Sequence, residues 1–414
     1  MKIEPNKQNR ITKDTLVLLM GLFYPAIHNY VWRILVGVTG LIGFDFSIGV
    51  FDAIVWTIVI GYILLTSRKP TIKLKTLVIF IALILIALLC FAFTEYDYFT
   101  PSVLFTLIVG TFSFFIMGSL IDLKRVSYKQ LYTCAVVTLI ISIIYSIYSI
   151  GSKDITLEDN MDFAYKVLPS VLIIISRLFT EQKSKPFPII FSVVGTIFLV
   201  LQGTRGPLLC LAIFVCLMIY KKHGLSKFLI KLGIIVLIVA ILLNSQFVQL
   251  KLIELSERID SSGYSSRFIA MILEGDLSDG NGREVIRKVL LEDIRNDPFI
   301  IRGMFADRQA TIGLVDKEYS MIYEKGTYAH SFWLEMIYEW GVLAGGAILL
   351  LVAICVINLI RKSDKSDAHI YMLFVCTGLV HLLLSGSYLL STNFFFLMGL
   401  AVRHFQVKKI TITK

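Results

Sequence analysis

The chain is built around repeated stretches of predominantly apolar residues, many of them near the roughly 20 residues that a helix needs to cross a bilayer. The sequence predicts twelve of them, at about 15–32, 47–66, 76–94, 101–121, 131–150, 165–180, 187–202, 207–220, 228–247, 330–360, 369–390 and 391–405. The expected fold class is all-α, a polytopic integral membrane protein. Composition agrees: 56% of residues are hydrophobic and 17% charged, against about 45–50% and 25% in a soluble chain. A soluble enzyme and a disordered chain are both excluded on this ground. The first apolar run is too long for a cleaved leader and lacks a small-residue cleavage site, so it reads as the first span. The segment 330–360 is too long for one span, and its first ten residues read as an extension of the helix at the membrane surface. The six cysteines all lie in apolar runs without a C-x-x-C pair. Inert thiols are expected, with no disulfide framework and no zinc site; no cofactor is expected.

Lysine and arginine sort by side. The N-terminus carries Lys2, Lys7, Arg10 and Lys13. Alternate connections then carry Arg68/Lys69/Lys73/Lys75, Lys124/Arg125/Lys129, Lys183/Lys185, Lys221/Lys222/Lys227 and Arg361/Lys362/Lys365, and the C-terminal tail carries Arg403, Lys408, Lys409 and Lys414. The short connections on the other side carry only Arg33, Lys153, Lys166 and Arg205. Both termini are therefore expected in the cytoplasm, which requires an even number of spans. The net charge of +10 then reports orientation in the membrane, not affinity for nucleic acid.

One connection breaks the pattern. The chain divides into spans one to nine (1–247), a long polar stretch on the outer face (248–329) and spans ten to twelve (330–414). Loops of this length are usually structured or functional. Within it, Val285, Ile286, Val289, Leu290 and Ile294 fall on one face of a helix that Asn281-Gly282 precedes and Asp297-Pro298 ends. That amphipathic helix suits the membrane surface, the bundle, or a small core inside the loop.

Three outer-face segments carry polar groups fit for chemistry. Gln202-Gly203-Thr204-Arg205-Gly206-Pro207 interrupts two spans with helix-breaking residues. Irregular backbone beside an arginine fits an anion site, because guanidinium and exposed amides both favour phosphate. The alternative for Arg205 is an anchor reaching to the interface. Most of the long loop's arginines are expected to be solvated, with Arg267 in Ser265-Ser266-Arg267 and Arg283 in Asn281-Gly282-Arg283 the best placed. Third, His330 in Tyr328-Ala329-His330-Ser331-Phe332 lies where the loop re-enters the membrane. Its ordinary pKa of about 6.5 makes it the natural proton acceptor at neutral pH. The alternative is an interfacial histidine that only hydrogen-bonds. Glu335 and Glu339 share a helix face that should turn inward, with Glu339 better suited to a structural hydrogen bond than to acid catalysis.

These elements together resemble the O-antigen polymerase/ligase superfamily. The resemblance rests on Thr204-Arg205-Gly206 at an outer helix junction, Gly282-Arg283 before an amphipathic helix, Asp297-Pro298-Phe299, and His330-Ser331-Phe332-x-Leu334 leading to Glu339-x-Gly341. It covers about 190–345 by motif and the whole chain by topology. The family usually has Asn where Ser331 stands, and its glycine-rich stretch is spread here over Pro298 to Gly303.

The resemblance implies a membrane glycosyltransferase whose donor is a glycan on undecaprenyl diphosphate at the outer face. In this reading Arg205 and Arg283 are catalytic, neutralising the leaving diphosphate, and His330 accepts or orients the acceptor's proton. Arg267, Thr204, Gly206, Ser331 and Glu339 complete the substrate-binding set. No metal is required. The expected partners are the lipid-linked donor and acceptor, the bilayer and a chain-length regulator, without nucleic acid. Polymerisation of repeat units for O-antigen, capsule or exopolysaccharide is the favoured activity. Ligation of finished glycan to a lipid core or other envelope acceptor is the nearest alternative. A lipid-linked oligosaccharide flippase is the second, although no matching repeats support a transporter.

Overall fold

The computed structural model describes residues 12–41, 55, 73–152, 157–180, 186–202, 204–243, 245–261, 269, 273, 283–316, 321–324 and 326–412. The expected span at 47–66, apart from residue 55, lies outside these residues, as do Gly203, Arg267, Asn281 and Gly282. The described chain is helical, apart from one short hairpin. The helices are α1 (Lys13–Leu41), α2 (Leu74–Phe93), α3 (Pro101–Leu120), α4 (Tyr128–Ser152), α5 (Leu157–Thr180), α6 (Pro186–Leu201), α7 (Arg205–Leu243) and α8 (Gln246–Ser261). Then come α9 (Arg283–Asn296), α10 (Ala306–Ala310), β1 (Leu314–Asp316), β2 (Met321–Tyr323) and α11 (Phe332–Lys362). Helix α12 runs from Lys365–Phe374 through the π-helical turns Val375–Val380 to His381–Leu384, and α13 is Thr392–Ile412.

Among the described residues, seven helices are long and apolar enough to cross a membrane, and α6 is a shorter apolar helix. Their burial sorts them into layers. About 67% of the apolar window of α5 and 72% of that of α12 is buried, against 11% for α2. So α5 and α12 form the interior, while α2 turns Leu74, Val78, Ile81, Leu85 and Leu89 outward. Exposed leucine and isoleucine in that density suit lipid, where helix association relies on close packing instead of hydrophobic exclusion. Helix α13 packs along α3 in this manner. A Cβ on Gly118 would lie 2.3 Å from the Phe396 carbonyl oxygen, and one on Gly399 2.1 Å from that of Phe115.

Two apolar runs read as continuous or separate in the sequence are divided by a glycine of positive φ. The expected spans 207–220 and 228–247 fall in α7, which kinks at Gly224 (φ 78°, ψ 172°). Helix α11 breaks at Gly341 (φ 72°, ψ 164°), just after the ten residues expected at the membrane surface. The break frees backbone groups, and the long connection satisfies them. Arg302 and Gly303 each donate an amide to the Glu339 carbonyl at 2.9 Å, and Val342 donates to the Pro298 carbonyl at 2.8 Å.

Polar contacts tie helix ends together at one end of the bundle. Thr12 Oγ1 donates to the Arg125 carbonyl at 3.0 Å, and the Asp122 amide donates to Asp14 Oδ1 at 2.9 Å. Lys221 Nζ donates to the carbonyls of Ile360 at 2.6 Å and Ser363 at 3.0 Å, closing the C-terminus of α11. Gln406 Nε2 donates to Thr76 Oγ1 at 3.2 Å. Arg177, without an obvious partner in the sequence, stacks on the Tyr132 ring at 4.1 Å.

At the other end the connection between α8 and α11 builds a satellite core. Ile286, Leu290 and Ile294 of α9 are buried with Ala306, Ala329, Leu334 and Tyr338. Of the three settings open to the amphipathic helix, it takes a core shared by the connection and the first turns of α11. The turn between α2 and α3 clamps it: Tyr96 Oη donates to the Arg302 carbonyl at 2.6 Å, and Phe99 packs on Phe305 at 4.8 Å between centroids.

Candidate active site

The starts of α5, α7, α9 and α11 and the end of α12 meet at this second end. Arg205 is the first residue of α7 and Arg283 the first of α9. A guanidinium there adds to the positive end of the helix dipole, a cost that a bound anion turns into a gain. Arg283 Nη1 donates to the Leu384 carbonyl at 3.0 Å, which ties α9 to the end of α12. Thr204 directly precedes Arg205, and its Oγ1 is buried without a hydrogen-bond partner among the described residues. Gly206 lies under the Tyr165 hydroxyl, where a Cβ would sit 1.7 Å from the Tyr165 oxygen.

His330 occupies the left-handed region at φ 52°. A non-glycine residue held there is a local strain of the kind that clusters at functional sites. Its ring lies 3.9 Å from that of Tyr328, its Nε2 is 3.4 Å from Thr327 Oγ1, and its Nδ1 is buried without a partner among the described residues. Burial, then the fields of Arg283 and Arg308, lower its pKa to about 3. The imidazole is therefore neutral throughout the physiological range. Ser331 precedes α11, and its carbonyl accepts the Glu335 amide at 2.9 Å.

The backbone before His330 is held by a buried charge cluster that the sequence did not announce. The carboxylates of Asp307, Glu335 and Glu339 lie within 4.8 Å of one another. Asp307, Glu335 and Glu339 are 0% exposed and Arg308 2%. Arg308 Nη1 donates to Asp307 Oδ1 at 3.1 Å and lies 3.6 Å from Glu335 Oε1. Asp307 Oδ2 accepts the Ala329 amide at 2.8 Å, fixing the residue next to His330. Burial pushes the Asp307 carboxyl up, against the pull of Arg308.

The spacing of the three carboxylates suits a cation, but their oxygens are engaged. Glu335 accepts from Ser387 Oγ and from the Tyr388 amide at 3.1 Å. Glu339 accepts from the Phe305 amide at 2.7 Å and from Tyr388 Oη at 2.5 Å. The Arg308 guanidinium supplies the cation, and the cluster works as a scaffold. Glu339, which the sequence offered for substrate, thus binds the protein's own backbone.

Sequence reasoning also missed Tyr165 and His381. Their rings stack at 3.7 Å between centroids and 29° between planes. Both line a cavity of about 450 Å³, with Lys166, Thr377, Ser387 and Asn393 among its polar residues. An ionisable histidine inside an apolar span was the available signal. Arg308 had a fainter one, an Asp-Arg pair directly after Gly303-Met304-Phe305-Ala306. Of the residues nominated by sequence, Thr204, Arg205, Gly206, Arg283, His330 and Ser331 lie at this end, while Arg267 is outside the described residues.

Two helix-initiating arginines and a buried histidine thus lie at one end of the helical bundle. Residues 190–349 match the family model described as O-antigen ligase, a stretch that contains Arg205, Arg283 and His330. Over that stretch, somewhat less than half of the chain, the sequence is similar to the O-antigen ligase family. No curated protein and no solved structure matches the chain.

The lowered pKa of His330 sets a pH expectation. Activity that needs the neutral ring is present above its pKa and lost as pH falls through it. The acid limb of kcat/KM should therefore lie well below the ordinary histidine value of about 6.5. Arg283→Ala removes one depressing charge and should move that limb upward. A wild-type limb near the ordinary value would count against a buried His330 as the titrating group.

Proposed function

We propose that the chain is a glycosyltransferase that polymerises undecaprenyl-diphosphate-linked oligosaccharide repeat units. It works at the outer face of the bacterial cytoplasmic membrane, with both termini in the cytoplasm. The observation that carries this reading is the convergence of Arg205, Arg283 and His330, distant in sequence, at one end of the bundle. The opposite end is tied by contacts involving Arg125 and Lys221, the basic connections that the sequence assigned to the cytoplasm.

In the proposed reaction a hydroxyl of the acceptor sugar attacks the anomeric carbon of the donor. The bond from that carbon to the diphosphate oxygen breaks, and its electron pair leaves on the diphosphate. One displacement inverts the anomeric centre. Arg205 and Arg283 meet the charge that grows on the departing oxygens, where preorganised donors act most strongly. No divalent metal is needed for that neutralisation. The attacking hydroxyl donates to His330, which aligns it and takes its proton as bond formation acidifies it. A diphosphate on Arg283 also offsets part of the field that depresses the imidazole, so donor binding raises its basicity. Repeat units enter from the aqueous side, twelve spans hold the lipid, and a chain-length regulator is the remaining partner.

The match to a model described as O-antigen ligase favours a second reading, transfer of finished glycan to a lipid core or other envelope acceptor. One assay separates them. The purified chain in liposomes receives a defined undecaprenyl-diphosphate repeat unit, with and without a lipid-core acceptor. A ladder of lipid-linked products without the core acceptor is the expected result. A single transfer that requires the core acceptor establishes the ligase, and no transfer in either case overturns both.

A further inference from the structure

The transfer chemistry proposed above uses residues that start α7, α9 and α11, and a residue of α5 lies directly against the first of these starts. Tyr165 lies in the first turns of α5, and its hydroxyl sits over Gly206 so closely that an added Cβ would be 1.7 Å away. That places the phenol one residue from Arg205. The opposite face of its ring is stacked on His381 at 3.7 Å. His381 begins the short helical turn that ends at Leu384, whose carbonyl accepts Arg283 Nη1 at 3.0 Å. Arg283 acts electrostatically on Tyr165 as well as on His330. Tyr165 thus lies against the start of α7, while the turn that carries its ring partner is tied to the start of α9.

Three further features mark this position as more than packing. Both rings line the 450 Å³ cavity, so open space reaches them from the side of the bundle away from Arg205 and Arg283, neither of which lines it. The walls of that cavity include Thr106, Gly110 and Thr111 of a π-helical segment in α3 and Thr377 of the one in α12. π-Helical turns are rare and concentrate at functional sites. Finally, Thr204 Oγ1, next to the same helix start, is a buried polar atom without a partner among the described residues, the kind of group that a ligand oxygen satisfies.

We propose that Tyr165 contacts the substrate, its hydroxyl donating a hydrogen bond to the diphosphate held between Arg205 and Arg283, and that His381 is the positioning residue that holds its ring there. Gly206 is the third part, because only the missing Cβ leaves room for the hydroxyl. The proposal rests on the lipid-diphosphate reading. It adds an uncharged donor to the two guanidinium groups and ties donor recognition to the bundle interior. No proton leaves the phenol: it remains a donor throughout, and the departing diphosphate carries the electron pair.

The test uses the full chain in liposomes with an undecaprenyl-diphosphate-linked repeat unit as substrate. Tyr165→Phe keeps the ring on His381 and deletes the hydroxyl. Its kcat should fall about 10- to 100-fold, the factor that a hydrogen bond to a charged group carries, with KM nearly constant and thermal unfolding in detergent unchanged. His381→Ala should lose activity similarly, and His381→Phe, which restores a ring beneath Tyr165, should recover much of it. Gly206→Ala should also reduce kcat, and the double variant Tyr165→Phe/Gly206→Ala should be no slower than Gly206→Ala alone, since both act through one hydroxyl. A structural role would change unfolding without that non-additivity. Wild-type kcat in Tyr165→Phe, or losses that multiply in the double variant, would overturn the assignment of Tyr165 alone. No transfer by the wild-type chain would overturn the lipid-diphosphate reading together with it.

Discussion

Arg283→Ala is expected to lower kcat by about 100- to 1,000-fold, the cost of removing one preorganised donor from a developing oxyanion, and Arg205→Ala by a similar factor. Each arginine begins a helix, so its charge adds to the dipole of the amides behind it. The negative charge on the departing diphosphate is greatest as the bond breaks, so the loss should fall on kcat with KM little affected. Lysine should rescue neither fully, because an ammonium cannot make the two parallel contacts of a guanidinium. The comparison needs proteoliposomes with measured amounts of folded protein, since Arg283 also ties α9 to the Leu384 carbonyl. An increase in KM with unchanged kcat would show that the arginines bind ground state and transition state alike, and the leaving-group role would be withdrawn.

Arg308→Ala carries the largest expected effect on stability. As a solvated loop residue, Arg308 would contribute within about 0.5 kcal/mol. The structure places it at 2% exposure among the carboxylates of Asp307, Glu335 and Glu339. Deleting the one cation of a buried ion cluster typically costs about 3–5 kcal/mol, because the remaining charges are left uncompensated. The added variant Glu335→Gln removes one stranded charge and should restore part of the loss. Thermal unfolding in detergent is the measurement, and a change within the surface range would refute the buried cluster. Activity should fall too, since Asp307 holds the Ala329 amide beside His330.

The sequence conveyed the site unevenly. Thr204, Arg205, Gly206, Arg283 and His330 were visible because each stands where a local pattern breaks: a glycine-proline junction between spans, a helix start after Asn-Gly, a histidine at the return to the membrane. Such breaks are written in neighbouring residues. Tyr165 and His381 were not visible as a pair. Each is one polar residue in an apolar helix, and their stacking is a property of how α5 meets α12. The kinks at Gly224 and Gly341 were equally silent, since a glycine in an apolar run is tolerated in helix and in bend alike, and only packing selects the positive φ.

Sequence by itself determined that this chain is a helical membrane protein. Bilayer thickness fixes the length of apolar helix, and the cost of moving lysine and arginine across lipid sorts the connections. It also nominated candidate residues at the breaks between helices. Only the tertiary structure decided which breaks meet, that Arg308 lies inside a carboxylate cluster, and that Tyr165 stands over Gly206. Those depend on close approach between helices far apart in the chain. Periodicity shows which face of a helix is apolar, but not which neighbour will cover it.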